Sequence, residues 1–193
     1  MKKRTLNLAI LLSTLMAAQV ISADTVSTQS LEQEGKGVIK ALASQLGEEL
    51  KTTAKSEGLS AAIKVCNTRA QPITQQVSDA KVWDVARTSL KLRNPGNAPD
   101  AWERRVLEYF ATQKTLGADL KTLAYSEVTT DESGQQVFRM MKAIPISQQC
   151  LACHGGQLKP SIKAKLDELY PYDSATGFKA GDLRGAFTLK KIL

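Results

Sequence analysis

Residues 123–154 read LAYSEVTTDESGQQVFRMMKAIPISQQCLACH, and this stretch decides the fold class and locates the chemistry. Leu123 to Thr129 and Gln136 to Ile146 are strand-like, and Asp131-Glu132-Ser133-Gly134 between them is turn-like. The pair predicts an antiparallel hairpin. Directly behind it, Cys150-Leu151-Ala152-Cys153-His154 has the Cys-x-x-Cys-His spacing of covalent c-type haem attachment. Positions i and i+3 of a helical turn share a face, so both thiols can reach the vinyl groups along one porphyrin edge. The adjacent imidazole then serves as the proximal axial ligand. His154 is the chain's only histidine, and two of its three cysteines lie in this pentapeptide.

Two rival readings use the same residues. A Cys-x-x-Cys pair also makes a redox dithiol or a disulfide, but the thioredoxin-like form follows a strand in a βαβ pattern, and none precedes it here. Cys66, Cys150, Cys153 and His154 formally make a Cys3His zinc set. Against zinc, Cys153 and His154 are neighbours in sequence, and adjacent side chains rarely reach one tetrahedral ion.

Working outward from the motif, Gly155-Gly156 ends its short helix. Pro160 to Leu169 predicts another helix, Tyr170 to Asp182 a loop, and Arg184 to Ile192 a final strand with Phe187 and Leu189 on one side. Upstream, Asp24 to about Glu34 is polar and reads as loosely ordered. Ile39, Leu42, Leu46 and Leu50 recur at helical spacing in a helix ending before Gly58. Ser60 is a candidate N-cap for a second helix, Ala61 to about Thr68, which Gln71-Pro72 interrupts. Lys81 to Ala86 alternates as a strand does. Arg93 to Pro99 is dense in turn formers, and Asp100 with Glu103 starts a capped helix carrying Trp102, Val106, Leu107 and Phe110 inward. Helices first, then an antiparallel sheet with helical insertions, is an α+β arrangement. There is no internal repeat and no second domain, so residues 24–193 read as one domain.

The N-terminus predicts export. Met1-Lys2-Lys3-Arg4 is a basic start, Leu6 to Ile21 is mostly apolar, and Ile21-Ser22-Ala23 offers a cleavage site, so residues 1–23 read as a signal peptide. The apolar run is short and interrupted against the about 20 residues of a membrane span, and no stable span is expected after cleavage. Export places the protein in the periplasm, where bacterial c-type haem is attached. Losing Lys2, Lys3 and Arg4 takes the net charge from +7 to +4. No Lys/Arg cluster with interleaved aromatics suggests a nucleic-acid surface. If haem consumes Cys150 and Cys153, Cys66 is left as an odd thiol in an oxidising compartment and requires an explanation.

The chain resembles the exported c-type haem proteins with a PAS-like domain and mixed His/Cys axial ligation, the Tll-type haem domains. The resemblance rests on Val65-Cys66-Asn67, on Arg87 to Pro95, on Cys150 to Gly155, on Tyr170-Pro171 and on Gly181-Asp182-Leu183-Arg184-Gly185-Ala186. It covers nearly all of the mature chain. It implies a PAS-like antiparallel sheet with helices on one side, one covalent haem c on Cys150 and Cys153, His154 as proximal iron ligand and Cys66 as distal ligand. Related domains serve as sensory inputs, but here no transmembrane helix or kinase or cyclase output follows the domain.

The residues alone lead to the same distal ligand by another route. No second histidine exists, and Met140 and Met141 sit within a strand where core packing is the simpler role. Lysine, water or an open site remain alternatives, and Cys66 also has a bland reading as a small buried thiol. Arg87, Lys91 and Arg93 are candidates for pairing with haem propionates, or for a solvated basic strand edge. Three functions compete: a redox or small-gas sensor answering CO or NO on reduction, an electron-transfer cytochrome, and a haem peroxidase. A peroxidase needs an open distal position with an acid–base residue, commonly histidine, so no enzyme activity is expected. The redox partner or signalling partner is not legible.

Overall fold

The computed structural model describes residues 27–193; the expected signal peptide lies outside them. Among the described residues, six α-helices and a four-stranded sheet make an α+β, PAS-like fold. The helices are α1 (Thr28–Ser56), α2 (Leu59–Thr68), α3 (Ala70–Lys81), α4 (Ala101–Thr115), α5 (Leu151–His154) and α6 (Pro160–Leu169). The strands are β1 (Asp84–Thr88), β2 (Ala124–Thr130), β3 (Gln136–Pro145) and β4 (Leu183–Ile192), all antiparallel, in spatial order β1-β4-β3-β2. No described helix is long and apolar enough to cross a membrane.

The hairpin is present as β2 and β3, and the Asp131 side chain organises its turn by accepting from the Ser133 and Gln135 amides. Residues alternate faces along a strand, so consecutive Met140 and Met141 enter different cores, both almost fully buried. Phe138, Met140, Leu189 and Val85 pack under α1 and α3, against Leu31, Val38, Leu42, Ile73 and Val77. Met141, Ala143 and Ala186 pack under α4, against Trp102, Val106, Leu107 and Phe110. Helices therefore cover both faces, not the single face that the resemblance implied. The adjacent buried methionines are the local cause, since each needs its own apolar partner layer.

The capping box is complete. Asp100 accepts from the Glu103 amide at 2.8 Å, and Glu103 accepts from the Asp100 amide at 3.0 Å. The remaining Glu103 oxygen accepts from Thr188 Oγ1 of β4 at 2.7 Å, which ties the cap to the sheet.

Three expectations near the N-terminal half need correction. Helix α1 begins at Thr28, capped by Ser27, and not after Glu34; Leu31 and Gly35 are buried one turn apart, so this polar segment has its own apolar stripe. Helix α2 does end at Thr68, but it starts at Leu59 behind Gly58, with Ser60 inside it and not capping it, and Pro72 does not stop the helical region: it occupies the first turn of α3, where amides lack intrahelical partners anyway. The predicted strand at Lys81 starts only at Asp84. Lys81 closes α3 and Val82 takes a left-handed conformation (φ 56°), turning the chain so that Trp83 is buried and donates to Glu34.

Candidate functional site

A cavity of about 390 Å³ lies at one end of the sheet, between α1, α2, β1, the start of β4 and the Cys-x-x-Cys-His segment, within the roughly 300–1,000 Å³ common for cofactor sites. Its apolar wall includes Leu46 and Leu50 of α1, Ile144 at the end of β3, Ile146 just after it, and Phe187 of β4. This accounts for Leu46 and Leu50 being only partly buried although they continue the apolar stripe of α1. Cys66, Cys150 and His154 all face this space. A larger depression of about 680 Å³ at the opposite end of the sheet contains no cysteine or histidine and carries no comparable chemistry.

The Cys-x-x-Cys-His segment is a single tight turn. Gln148–Cys150 forms a 3₁₀ turn that runs into α5, and Gly155 receives the chain. The two thiols have different surroundings. Cys150 packs beside Ile146, Ala175 and Phe178, whereas Cys153 packs into the α2–α6 cluster of Ile63, Ile162, Leu166 and Tyr170 and does not line the cavity. All three cysteines are free thiols. Among the described residues no three His, Cys, Asp or Glu side chains converge as a metal site.

His154 is held firmly. Its Nδ1 lies 2.7 Å from the Ala175 carbonyl, which makes Nδ1 the protonated nitrogen and leaves the Nε2 lone pair available, the arrangement usual in metal-binding imidazoles. Burial, followed by the positive charges of Arg93 and Arg184, pushes its pKa down to about 3. The ring is thus neutral across ordinary pH. Arg93 organises the surrounding loop: it pairs with Asp173 at 2.9 Å, donates to the Cys153 carbonyl at 2.6 Å and reaches the Ala175 carbonyl at 3.3 Å. Its Nη1 is 3.4 Å from His154 Nε2.

Cys66 approaches the cavity from α2, which is tied to α6 through Asn67 and the Leu169 carbonyl. Burial raises the pKa of its thiol, while Arg87, Arg93 and Arg184 pull in the opposite direction. Cys66 forms no hydrogen bond among the described residues, in contrast to His154.

The arginines are sorted differently from the expectation. Arg87 and Arg93 line the cavity, but Lys91 turns away, donating to the Thr176 carbonyl and lying over the Phe178 ring. Arg184, at the start of β4, takes the third place. In the sequence it stands only as part of the Gly-Asp-Leu-Arg-Gly run, and since β4 also carries Lys190 and Lys191 its charge gave no separate signal. The Arg87 Nε atom is buried without any hydrogen-bond partner.

A family model for Tll0287-like proteins matches residues 5–191. The chain belongs to the Tll0287-like family. Its fold is similar to that in the crystal structure of the cyanobacterial heme-protein Tll0287, with a TM-score of 0.62 and 24% identity over 86% of this chain and 96% of that one. Among curated proteins none matches. The family match spans Cys66, Cys150, Cys153 and His154 together.

Proposed function

We propose that the chain is an exported mono-haem protein of the periplasm that acts as a redox or small-gas sensor. Cys150 and Cys153 would hold haem c through thioethers, with His154 as proximal ligand and Cys66 as distal ligand. The observation that carries this reading is the convergence of Cys66, Cys150 and His154 on one apolar cavity whose wall also presents three guanidinium groups. The donor set suits haem: a neutral imidazole whose Nε2 meets only a long 3.4 Å contact from Arg93, a thiol from α2, and a buried cationic group without a partner. When bound, haem supplies a redox-active iron able to take a diatomic ligand at a vacant axial position.

The chain's own residues favour sensing over simple electron carriage. His154 is fixed by the Ala175 carbonyl within a loop that Arg93 clamps, whereas Cys66 has no hydrogen-bonded support among the described residues. A carrier gains from two equally fixed ligands, and a sensor needs one that can yield. Displacement of Cys66 would be transmitted to the ten-residue helix α2 and its neighbour α6.

Production with a c-type haem maturation system tests the reading. The mature protein should have the mass of residues 24–193 plus one haem that acid-acetone does not extract. His154→Ala should retain that haem but lose the low-spin spectrum. The ferrous protein should bind CO or NO, and Cys66→Ala should raise the reduction potential and bind gas without delay. Extractable haem would remove the covalent assignment; an inert six-coordinate ferrous state would make the protein an electron carrier.

A further inference from the structure

We propose that Arg87 and Arg184 are the paired recognition groups for the two carboxylates of the porphyrin, and that Arg93 takes no part in that recognition. The inference rests on the haem reading and extends it to the propionate subsite. It begins with charge. Three guanidinium groups and no carboxylate line the cavity wall, where the other titratable groups are Cys66, Cys150 and His154. Arg93 is already neutralised. It shares a nearly buried ion pair with Asp173, its Nη2 serves the Cys153 and Ala175 carbonyls, and its Nη1 faces His154 Nε2 at 3.4 Å.

Arg184 lacks such compensation. Its Nη1 donates to two neutral acceptors, Ser89 Oγ at 2.9 Å and the Lys91 carbonyl at 3.1 Å, and it forms no ion pair among the described residues. Arg87 is lonelier still, with no hydrogen bond or ion pair among them and a fully buried Nε. Burial lowers the pKa of Arg87; burial, followed by the neighbouring Arg93 charge, brings that of Arg184 down to about 10, with Asp173 offsetting only part of the effect.

Two uncompensated cations in one partly closed space are costly, and an unsatisfied buried donor in a native structure requires an explanation. A ligand with two carboxylates balances both charges and supplies acceptors for the forked guanidinium donors. The placement also suits recognition. Arg87 lies within the β1–β4 ladder, paired with Phe187, and Arg184 lies on β4 two residues beyond that ladder's last pair, Thr88↔Ala186, opposite the bulge at Ile144/Pro145, so both reach the cavity from the same end of the sheet.

The test uses the mature holoprotein carrying haem labelled with ¹³C at the propionate carboxyls, titrated by NMR. In the wild type both carboxylates should ionise below the ordinary range, by about one to three pKa units. Arg87→Gln and Arg184→Gln should each return one resonance towards that range. Arg87→Lys, which preserves the charge and guards against misfolding, should give an intermediate titration. The mass should still show one covalent haem in every variant. If haem is bound and both titrations are unchanged in the Arg87→Gln, Arg184→Gln double variant, or already ordinary in the wild type, this assignment is wrong. If the wild type carries no haem, the parent reading fails instead.

Discussion

Replacing Asp173 by Asn provides a quantitative test of the clamp behind His154. Both side chains of the Arg93–Asp173 pair are only 9% exposed, and they meet at 2.9 Å. The substitution preserves shape and leaves an oxygen to accept from the Ala175 amide, which Asp173 Oδ1 now does at 2.8 Å. It removes the charge that compensates Arg93. Breaking one side of a buried pair typically costs about 3–5 kcal/mol, and the retained amide places this case near the lower end, about 3 kcal/mol. For a domain of this size that corresponds to a fall in Tm of roughly 6–12 °C.

A second variant, Arg93→Met with Asp173→Leu, separates charge from clamping. If the pair acted through charge alone, an apolar replacement would recover most of the loss. Arg93 also serves the Cys153 and Ala175 carbonyls, and each buried acceptor left without a donor costs about 1–3 kcal/mol. The double variant should therefore be no more stable than Asp173→Asn. Denaturant unfolding of the holoprotein measures both. A loss under about 1 kcal/mol in Asp173→Asn would refute the buried-pair argument, and wild-type stability in the double variant would refute the clamp.

Other expectations follow from single positions. A Cβ on Gly185 would lie 2.3 Å from the Thr88 carbonyl oxygen, so Gly185→Ala should force β1 from β4 and cost about 2 kcal/mol or more by overpacking; an unchanged thermal midpoint would contradict this. Val82 is β-branched, left-handed and 81% exposed, so Val82→Gly should raise stability by about 0.5–1 kcal/mol, relief of backbone strain exceeding the entropy cost of glycine; a lower denaturation midpoint would count against it. Lys114 bonds to Asp182 at 2.6 Å and holds its carboxyl below the ordinary range. A depressed carboxylate contributes stability above its unfolded pKa of about 4 and loses it as pH falls through the folded value. Lys114→Met should therefore cost up to about 1 kcal/mol at neutral pH and almost nothing near pH 2; a gap that persists in acid would show that Lys114 acts by packing.

Much of this molecule is legible in the sequence because the deciding signals are local. Asp100 and Glu103 announce their helix through a reciprocal cap, Pro160 opens α6 at the position where proline is harmless, and Asp131 to Gly134 mark the hairpin turn. The errors arise where a local rule met a competing context. Pro72 reads as a breaker, yet at the third residue of α3 its missing amide is not needed. The polar segment before Glu34 hides Leu31, which becomes apolar core only because the sheet presents Phe138 and Met140 beneath α1. At the candidate site, Cys66, Cys150 and His154 were visible as residue types with few alternatives. Arg184 and the exclusion of Lys91 were not visible, because the direction of a long cationic side chain depends on which carbonyls surround it.

The position of β4 has a consequence for how the protein acquires its shape. β4 follows the other three strands in sequence, yet it lies inside the sheet, between β1 and β3. Until residues 183–192 arrive, β1 has no neighbour and both cores lack a central wall: Leu189 for one, Ala186 for the other. Cys66 and His154 likewise meet only through contacts between segments far apart in the chain. Such non-local closure delays cooperative folding until the last strand is available. A chain still lacking β4 therefore lacks one wall of the cavity, since Arg184, Gly185 and Phe187 come from it, and docking of this ten-residue strand is the step that completes the pocket.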